Sequence, residues 1–598
     1  MNDNKKSLYA VIIFLFIGFV LIQNKRSSTS SEITENEIMG HIRYLSHDKR
    51  EGRYPGSRGS KDAISYIVKK FKSFGVLPGV NNSYIQPFNI KTGVELGDSN
   101  YTKINNRILN VKEDYIPLFF SGQGKSSGIA VFAGYGFKIN EKELVWDDYK
   151  NIDVDGKWVI VMRHSPEREN KHSIYTEHSS LHKKMLVARD AGAIGVLFVS
   201  QIEDDGLFPL QYMKGYSNGG IPALHLSNDI ADDLFKKIGW TREKIQKTMN
   251  KKLAPLNFDL NSIKIETNVN LLAQTSRAAN VIGLIKSGNR EFRDEYVVIG
   301  AHFDHVGRGG LSSGSRKPKE NLIHPGADDN ASGTAGLIEL AQKLSAQKSR
   351  LKRSVLLIGF DAEEKGLLGS KYFISNPIVD LEKITTMINM DMIGRMKDST
   401  FTIGGVGTSP IFNSLLDSLS KNKKFKINKT LPGFGPSDHA AFYSKEIPVL
   451  FFFTGFHDEY HTPYDTWRLI NLNGQKSILD FVYEVTFFLA RSPQRPLFSE
   501  AGPKNNSMEK RTAFKVTFGI MPNYGSAAIG LEIDQISNTD GPAAKAGIVS
   551  GDIIKSINGK EIKNIYEYME RLGELESGTS ITVEIERNKR IIELNVSF

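Results

Sequence analysis

Several short strings place imidazoles and carboxylates at well-separated points of the chain. They are His302-Phe303-Asp304-His305, Asp328-Asp329-Asn330, Asp361-Ala362-Glu363-Glu364, Asp391, and Tyr460-His461. The sequence contains no cysteine, so a metal ion would have to be held by His and carboxylates, a donor set suited to zinc or a similar divalent ion. So many candidates exceed the three protein ligands of a single catalytic zinc. With one carboxylate bridging, they could serve two ions about 3.5–4 Å apart, the arrangement of a two-metal hydrolase. In the Glu363-Glu364 pair one carboxylate would bind metal and its neighbour would take a proton from water. Asp304, two residues beyond His302, is placed to accept the other imidazole N–H and fix its tautomer.

The elements that must position these groups are legible around them. Tyr296 to Ala301, Val355 to Phe360, Thr386 to Asn389 and Val449 to Phe453 are almost wholly apolar, as befits parallel strands buried on both faces. Amphipathic segments such as Ala335 to Leu344 supply crossover helices. The expected fold class is therefore α/β, a mostly parallel sheet flanked by helices. In such a sheet ligands gather beyond the carboxyl ends of the strands, and each chemical string follows one of them. Upstream, Ile38, Ile42 and Leu45 form one helical stripe, and Ala63, Ile67, Val68, Phe71 and Phe74 a second, with a loop at Glu51 to Ser57 between. From Tyr115 to Asn268 short β-rich runs take over. There His164, His172, His178 and His182 have the spacing of a solvated loop and helix rather than of a metal site.

These strings carry a family resemblance. AHFDH, GADDNASG, FDAEEKGLLGS, NMDMIG and YHTPYDT, with the opening HIRYLSHDKREGRYPGSRGS, resemble the M28 (aminopeptidase Y-like) metallopeptidases, in the branch with an inserted protease-associated (PA) domain. The resemblance implies the zinc-exopeptidase fold and two zinc ions. Asp329 would bridge them, with Glu364 and His461 on one ion and His302 and Asp391 on the other. It further implies Glu363 as general base and acid, Tyr460 as an oxyanion donor or a packing residue, and a cis peptide after Asp329. The expected reaction is removal of N-terminal residues from peptides by metal-activated hydroxide. Three other readings are kept. A carboxypeptidase would need Arg308, Arg316 or Arg395 for the substrate carboxylate. A glutaminyl-cyclase-like transferase would use a single zinc, against which the full ligand set argues. A binding protein on a peptidase fold would act through its last domain.

That last domain resembles a PDZ domain of the bacterial protease type in IGLEIDQISNTDGPAAKAGIVSGDIIKSINGKEI. The resemblance implies capture of a peptide C-terminal tail by strand addition at Ala528, Ile529, Gly530 and Leu531. The PA resemblance rests on GYGFKINEKELVWDDYKNIDVDGKWVIVMRHSP and AGAIGVLFVS. The expected domains are 31–114 and 270–495 for the peptidase, 115–269 for the insert, a linker at 496–511, and 512–598 for the PDZ domain. Residues 1–30 read as an export signal or uncleaved anchor: Lys5 and Lys6 precede an apolar run from Leu8 to Ile22, short of the ~20 residues of a spanning helix. The expected location is thus extracytoplasmic, periplasmic or secreted, with membrane contact only through that segment. The net charge of +10 is spread along the chain among acidic residues, which argues against a nucleic-acid partner.

Overall fold

The computed structural model describes residues 31–502, apart from 142–143, 171–172, 211–217 and 311–312, and residues 516–598, apart from 523–529, 537, 539, 563–564 and 577. The expected signal or anchor at 1–30 lies outside the described residues. Among the described residues no helix is long and apolar enough to cross a membrane.

The chain opens on α1 (Glu35–Leu45), capped by Thr34, whose side chain accepts from the Glu37 N–H, and α2 (Arg58–Ser73), capped by Ser57 on the Ser60 N–H. Such caps satisfy N–H groups that a helix start leaves without partners. Both stripes face the core: Ile38, Ile42, Leu45, Ala63, Ile67 and Phe71 are fully buried. Between the helices, residues 48–53 form a tight turn in which Glu51, Gly52 and Arg53 all have positive φ.

A long hairpin follows, β1 (Ile85–Leu96) on β2 (Leu271–Ile285). β2 then enters the main sheet beside β3 (Tyr296–His302), β4 (Ser354–Phe360), β5 (Ile384–Met390), β6 (Thr400–Gly404), β7 (Lys426–Lys429) and β8 (Val449–Phe453). With a short strand at Leu77–Pro78, the spatial order is Leu77–Pro78, β2, β4, β3, β5, β8, β6, β7, and β1 joins through β2. The centre, β4-β3-β5-β8, is parallel, while β2 and β6 run antiparallel to their central neighbours. The four apolar runs are therefore the four central strands, and β4, β5 and β8 are buried at every residue. Helices α3 (Gly333–Ala346) and α4 (Leu472–Arg491) pack into one core with α1 and α2. The result is the α/β architecture expected, a mixed sheet with a parallel heart.

The insert has its own eight-stranded sheet and two apolar clusters. Its sheet takes in Tyr101–Ile104 and Arg107–Leu109, upstream of the boundary expected at 115. Tyr101–Ile104 pairs with Asn257–Val269, a partner more than 150 positions away that local pattern does not reveal. Residues 516–598 hold a third core around Ile554, Val583 and Ile585.

Candidate metal centre

Four of the five chemical strings lie beyond the carboxyl end of a parallel strand. His302 closes β3, Glu363 and Glu364 follow β4, Asp391 follows β5, and His461 follows β8. Asp329 sits in the turn Ala327–Ser332 that leads into α3, and its peptide bond to Asn330 is cis. Asp465 holds that turn by accepting from the N–H groups of Asp328 (2.9 Å) and Asp329 (3.1 Å). Asn330 ties it to the loop after β5, donating to Met390 O and accepting from Met392 N.

The side chains gather into two groups that share Asp329: His302 with Asp391, and His305 with Glu364 and His461. On one side, His302 Nε2 lies 3.2 Å from Asp391 Oδ1 and 3.5 Å from Asp329 Oδ1. On the other, His461 Nε2 lies 3.1 Å from both Asp329 Oδ2 and Glu364 Oε2. Donors bound at about 2.0–2.2 Å to a tetrahedral ion stand roughly 3.4 Å apart, so each group has the spacing to hold one ion, with one Asp329 oxygen facing each. His461 is aimed by its Nδ1, which donates to Gly314 O at 2.9 Å.

Asp304 behaves differently from expectation. Its carboxylate lies 3.6 Å from His302 Nδ1, beyond a hydrogen bond. The imidazole faces the Asp304 main-chain carbonyl instead, at 3.3 Å. The carboxylate accepts from Glu363 N (3.0 Å) and Glu364 N (3.3 Å). The bend after β3 turns Asp304 toward the strand-end loop of β4, where two N–H groups satisfy a buried carboxylate better than one shared imidazole.

Electrostatics separate the two glutamates. Burial holds the Glu363 carboxyl well above the usual carboxylate range, with the like charge of Glu364 adding to it against the pull of His302. Burial acts on Glu364 too, but His461 and His305 outweigh it and hold its carboxyl well below that range. Tyr460 stacks on His461 with ring centroids 3.9 Å apart, and burial, then Asp329 and Glu364, push its phenol well above its ordinary value.

The sequence reading assigned no role to four groups here. His305 lies 2.8 Å from Glu364 Oε1. Asp438 is fully buried, and burial raises its carboxyl while His302 opposes. Asp465 lies within YHTPYDT, and Arg53 within the loop Glu51 to Ser57. Of the arginines suggested for a substrate carboxylate, Arg395 pairs with Glu459 at 2.5 Å, Arg316 donates to Asp458 O, and Arg308 is exposed. In the last domain Gly530 precedes the strand Leu531–Ile536, and the Leu531 side chain is buried in that domain's core. Ala528 and Ile529 lie outside the described residues. In the insert His178 stands 3.3–3.4 Å from Glu177 and Glu141, nearer to carboxylates than its spacing suggested, and His172 lies outside the described residues.

Residues 280–486, which hold every one of the grouped side chains, match the model of peptidase family M28. That stretch is similar to the M28 peptidases. Residues 124–234 match the PA domain and 527–598 the PDZ domain. Part of the chain aligns with named relatives. Aminopeptidase YwaD of Bacillus subtilis is 27% identical over 250 residues, 39% of this chain and 49% of the relative. Leucine aminopeptidase 2 of Trichophyton rubrum is 30% identical over 205 residues, 32% of this chain and 37% of the relative. The chain thus spans about half or less of the length of these relatives. Among solved structures, a zinc aminopeptidase from Bacillus subtilis is 19% identical with a TM-score of 0.45, covering 79% of this chain and all of that one.

Proposed function

We propose that this protein is a two-zinc exopeptidase that removes N-terminal residues from peptides. The observation that carries the reading is the pair of donor groups sharing Asp329, one oxygen toward each. The match to peptidase family M28 and the names of two aminopeptidase relatives support that reading, while a Caenorhabditis elegans relative 24% identical over 457 residues is named a glutamate carboxypeptidase 2 homolog. His302 and Asp391 would hold one ion, Glu364 and His461 the other. The ions would supply Lewis acidity and lower the pKa of water. Glu363, raised above its usual range by burial, is suited to take the proton from the attacking water and deliver it to the leaving amine. Asp304 sets the backbone from which both glutamates project. Tyr460, whose phenol keeps its proton, can donate to the developing oxyanion.

The carboxypeptidase alternative loses support from the engagement of Arg395 with Glu459. An extracytoplasmic location, with residues 1–30 as signal or anchor, and tail capture by the PDZ domain belong to the same proposal. Cell fractionation and binding to C-terminal peptides test them separately.

The deciding experiment supplies zinc to the chain and offers one peptide free, N-acetylated and C-amidated, with products read by mass spectrometry. Stepwise N-terminal loss blocked by acetylation alone is expected. Loss blocked only by amidation contradicts the reading.

A further inference from the structure

His305 has no place among the ligands named above, yet the fold is built around its ring. The residue is fully buried. Its main-chain N–H faces Arg53 O at 3.4 Å, and its ring lies edge-on to His461 with centroids 5.5 Å apart. The ring fits because residue 326 is glycine. A Cβ there would come within 2.5 Å of His305 Cδ2 and 2.2 Å of Asp329 O, and φ is +54°. His305 Nδ1 lies 2.8 Å from Glu364 Oε1 and 3.6 Å from Asp329 Oδ2. An ionised carboxylate only accepts, so at 2.8 Å the Nδ1 must carry hydrogen and donate. The other Glu364 oxygen, Oε2, is the one 3.1 Å from His461 Nε2.

We propose that His305 is a positioning residue of the metal centre: its Nδ1–H holds Glu364 Oε1, leaving Oε2 beside His461 Nε2 to join the donors that would hold an ion. The inference rests on the two-ion reading above. Hydrogen bonds that orient a metal-binding side chain typically support affinity by 10–100-fold. Among the described residues His305 Nε2 has no hydrogen-bond partner, so nothing on the far side of the ring competes for its orientation. His305 thus acts through Glu364 rather than on substrate.

The test uses the full chain with His305→Leu, which removes the donor, and His305→Asn, whose amide N–H falls near the place of Nδ1. Zinc affinity is measured by competition with a chromogenic chelator, and the number of imidazoles around zinc by X-ray absorption. The expected result is roughly 10–100-fold weaker binding of one of two ions in His305→Leu. His305→Asn should stay within about threefold of the parent, with the imidazole count unchanged. If His305→Leu does not fold, the Asn variant decides alone. Folded His305→Asn that binds tenfold more weakly, or that loses an imidazole from the zinc shell, overturns the proposal, the latter by making His305 a ligand. Parent-like affinity in folded His305→Leu overturns it as well. A parent chain that binds no zinc instead sinks the reading of the site itself, and this inference with it.

Discussion

Arg53 offers the sharpest test of how the metal centre is held. It is fully buried, and its guanidinium donates to Phe303 O (2.6 Å), Leu45 O (2.9 Å), Pro325 O (2.7 Å) and Gly326 O (2.8 Å). It therefore clamps the loop after β3 to the turn that carries Asp329. Each charge-assisted bond contributes about 1.5–3 kcal/mol, so the four together contribute roughly 6–8 kcal/mol at the low end of that range. Burial opposes this. It lowers the guanidinium pKa to about 10, against the opposing pull of Asp329, Asp304, Asp465 and Glu364. The net loss expected for Arg53→Met is about 3–5 kcal/mol, the range typical when one member of a buried charged set is removed. Arg53→Lys should recover only part of it, because one ammonium cannot reach four carbonyls in a fork. The assay is urea unfolding of the zinc-loaded chain, followed by zinc release to a chromogenic chelator. A loss below about 1 kcal/mol in Arg53→Met, or a Lys variant equal to the parent, would refute the clamp.

Other predictions follow from single contacts. Asp304→Ala removes the acceptor for Glu363 N and Glu364 N. It should lower kcat by at least tenfold with KM little changed, and an unchanged kcat in steady-state assays counts against that role. Gly326→Ala places a methyl within 2.5 Å of His305 and 2.2 Å of Asp329 O at positive φ. It should cost roughly 2 kcal/mol or more in urea unfolding. In the PA domain, burial lowers the His225 pKa from 6.5 to about 3, so the unfolded chain binds the extra proton between those values. The stability it confers is complete above pH 6.5 and is lost as pH falls toward 3, about 2 kcal/mol of it by pH 5. Thermal melts of the parent should show that slope and His225→Gln should flatten it. Parallel pH profiles would remove His225 from the explanation.

Much of the catalytic fold was legible because most of the buried parallel strands read as nearly continuous apolar runs, Ile384–Met390 with its two threonines and asparagine being the weakest. Tyr296–His302, Ser354–Phe360, Ile384–Met390 and Val449–Phe453 differ from the expected strands by no more than two residues at an end. His302, Glu364 and Asp391 were legible for the same reason, since they close or follow those strands within a few residues, whereas Asp329 and His461 stand farther along the connections. What stayed hidden depends on contacts distant in sequence or on the direction of a bend. Asp304 stands two residues from His302, and spacing alone favours an imidazole partner. Its actual partners are 59 and 60 positions away. His305 shares a string with His302, and nothing local says which imidazole faces which carboxylate. The carbonyls on the far side of the Arg53 clamp are 250–273 positions downstream, so a loop by composition turned out to be the support of the centre.

The claim on which the rest depends is that Asp329 joins two ions. Crystals of the zinc-loaded Glu363→Gln variant, measured on both sides of the zinc absorption edge, test it directly. The account predicts two anomalous peaks about 3.5–4 Å apart, one beside His302 and Asp391, the other beside Glu364 and His461, with an Asp329 oxygen toward each. A single peak, or zinc bound away from Asp329, would contradict it.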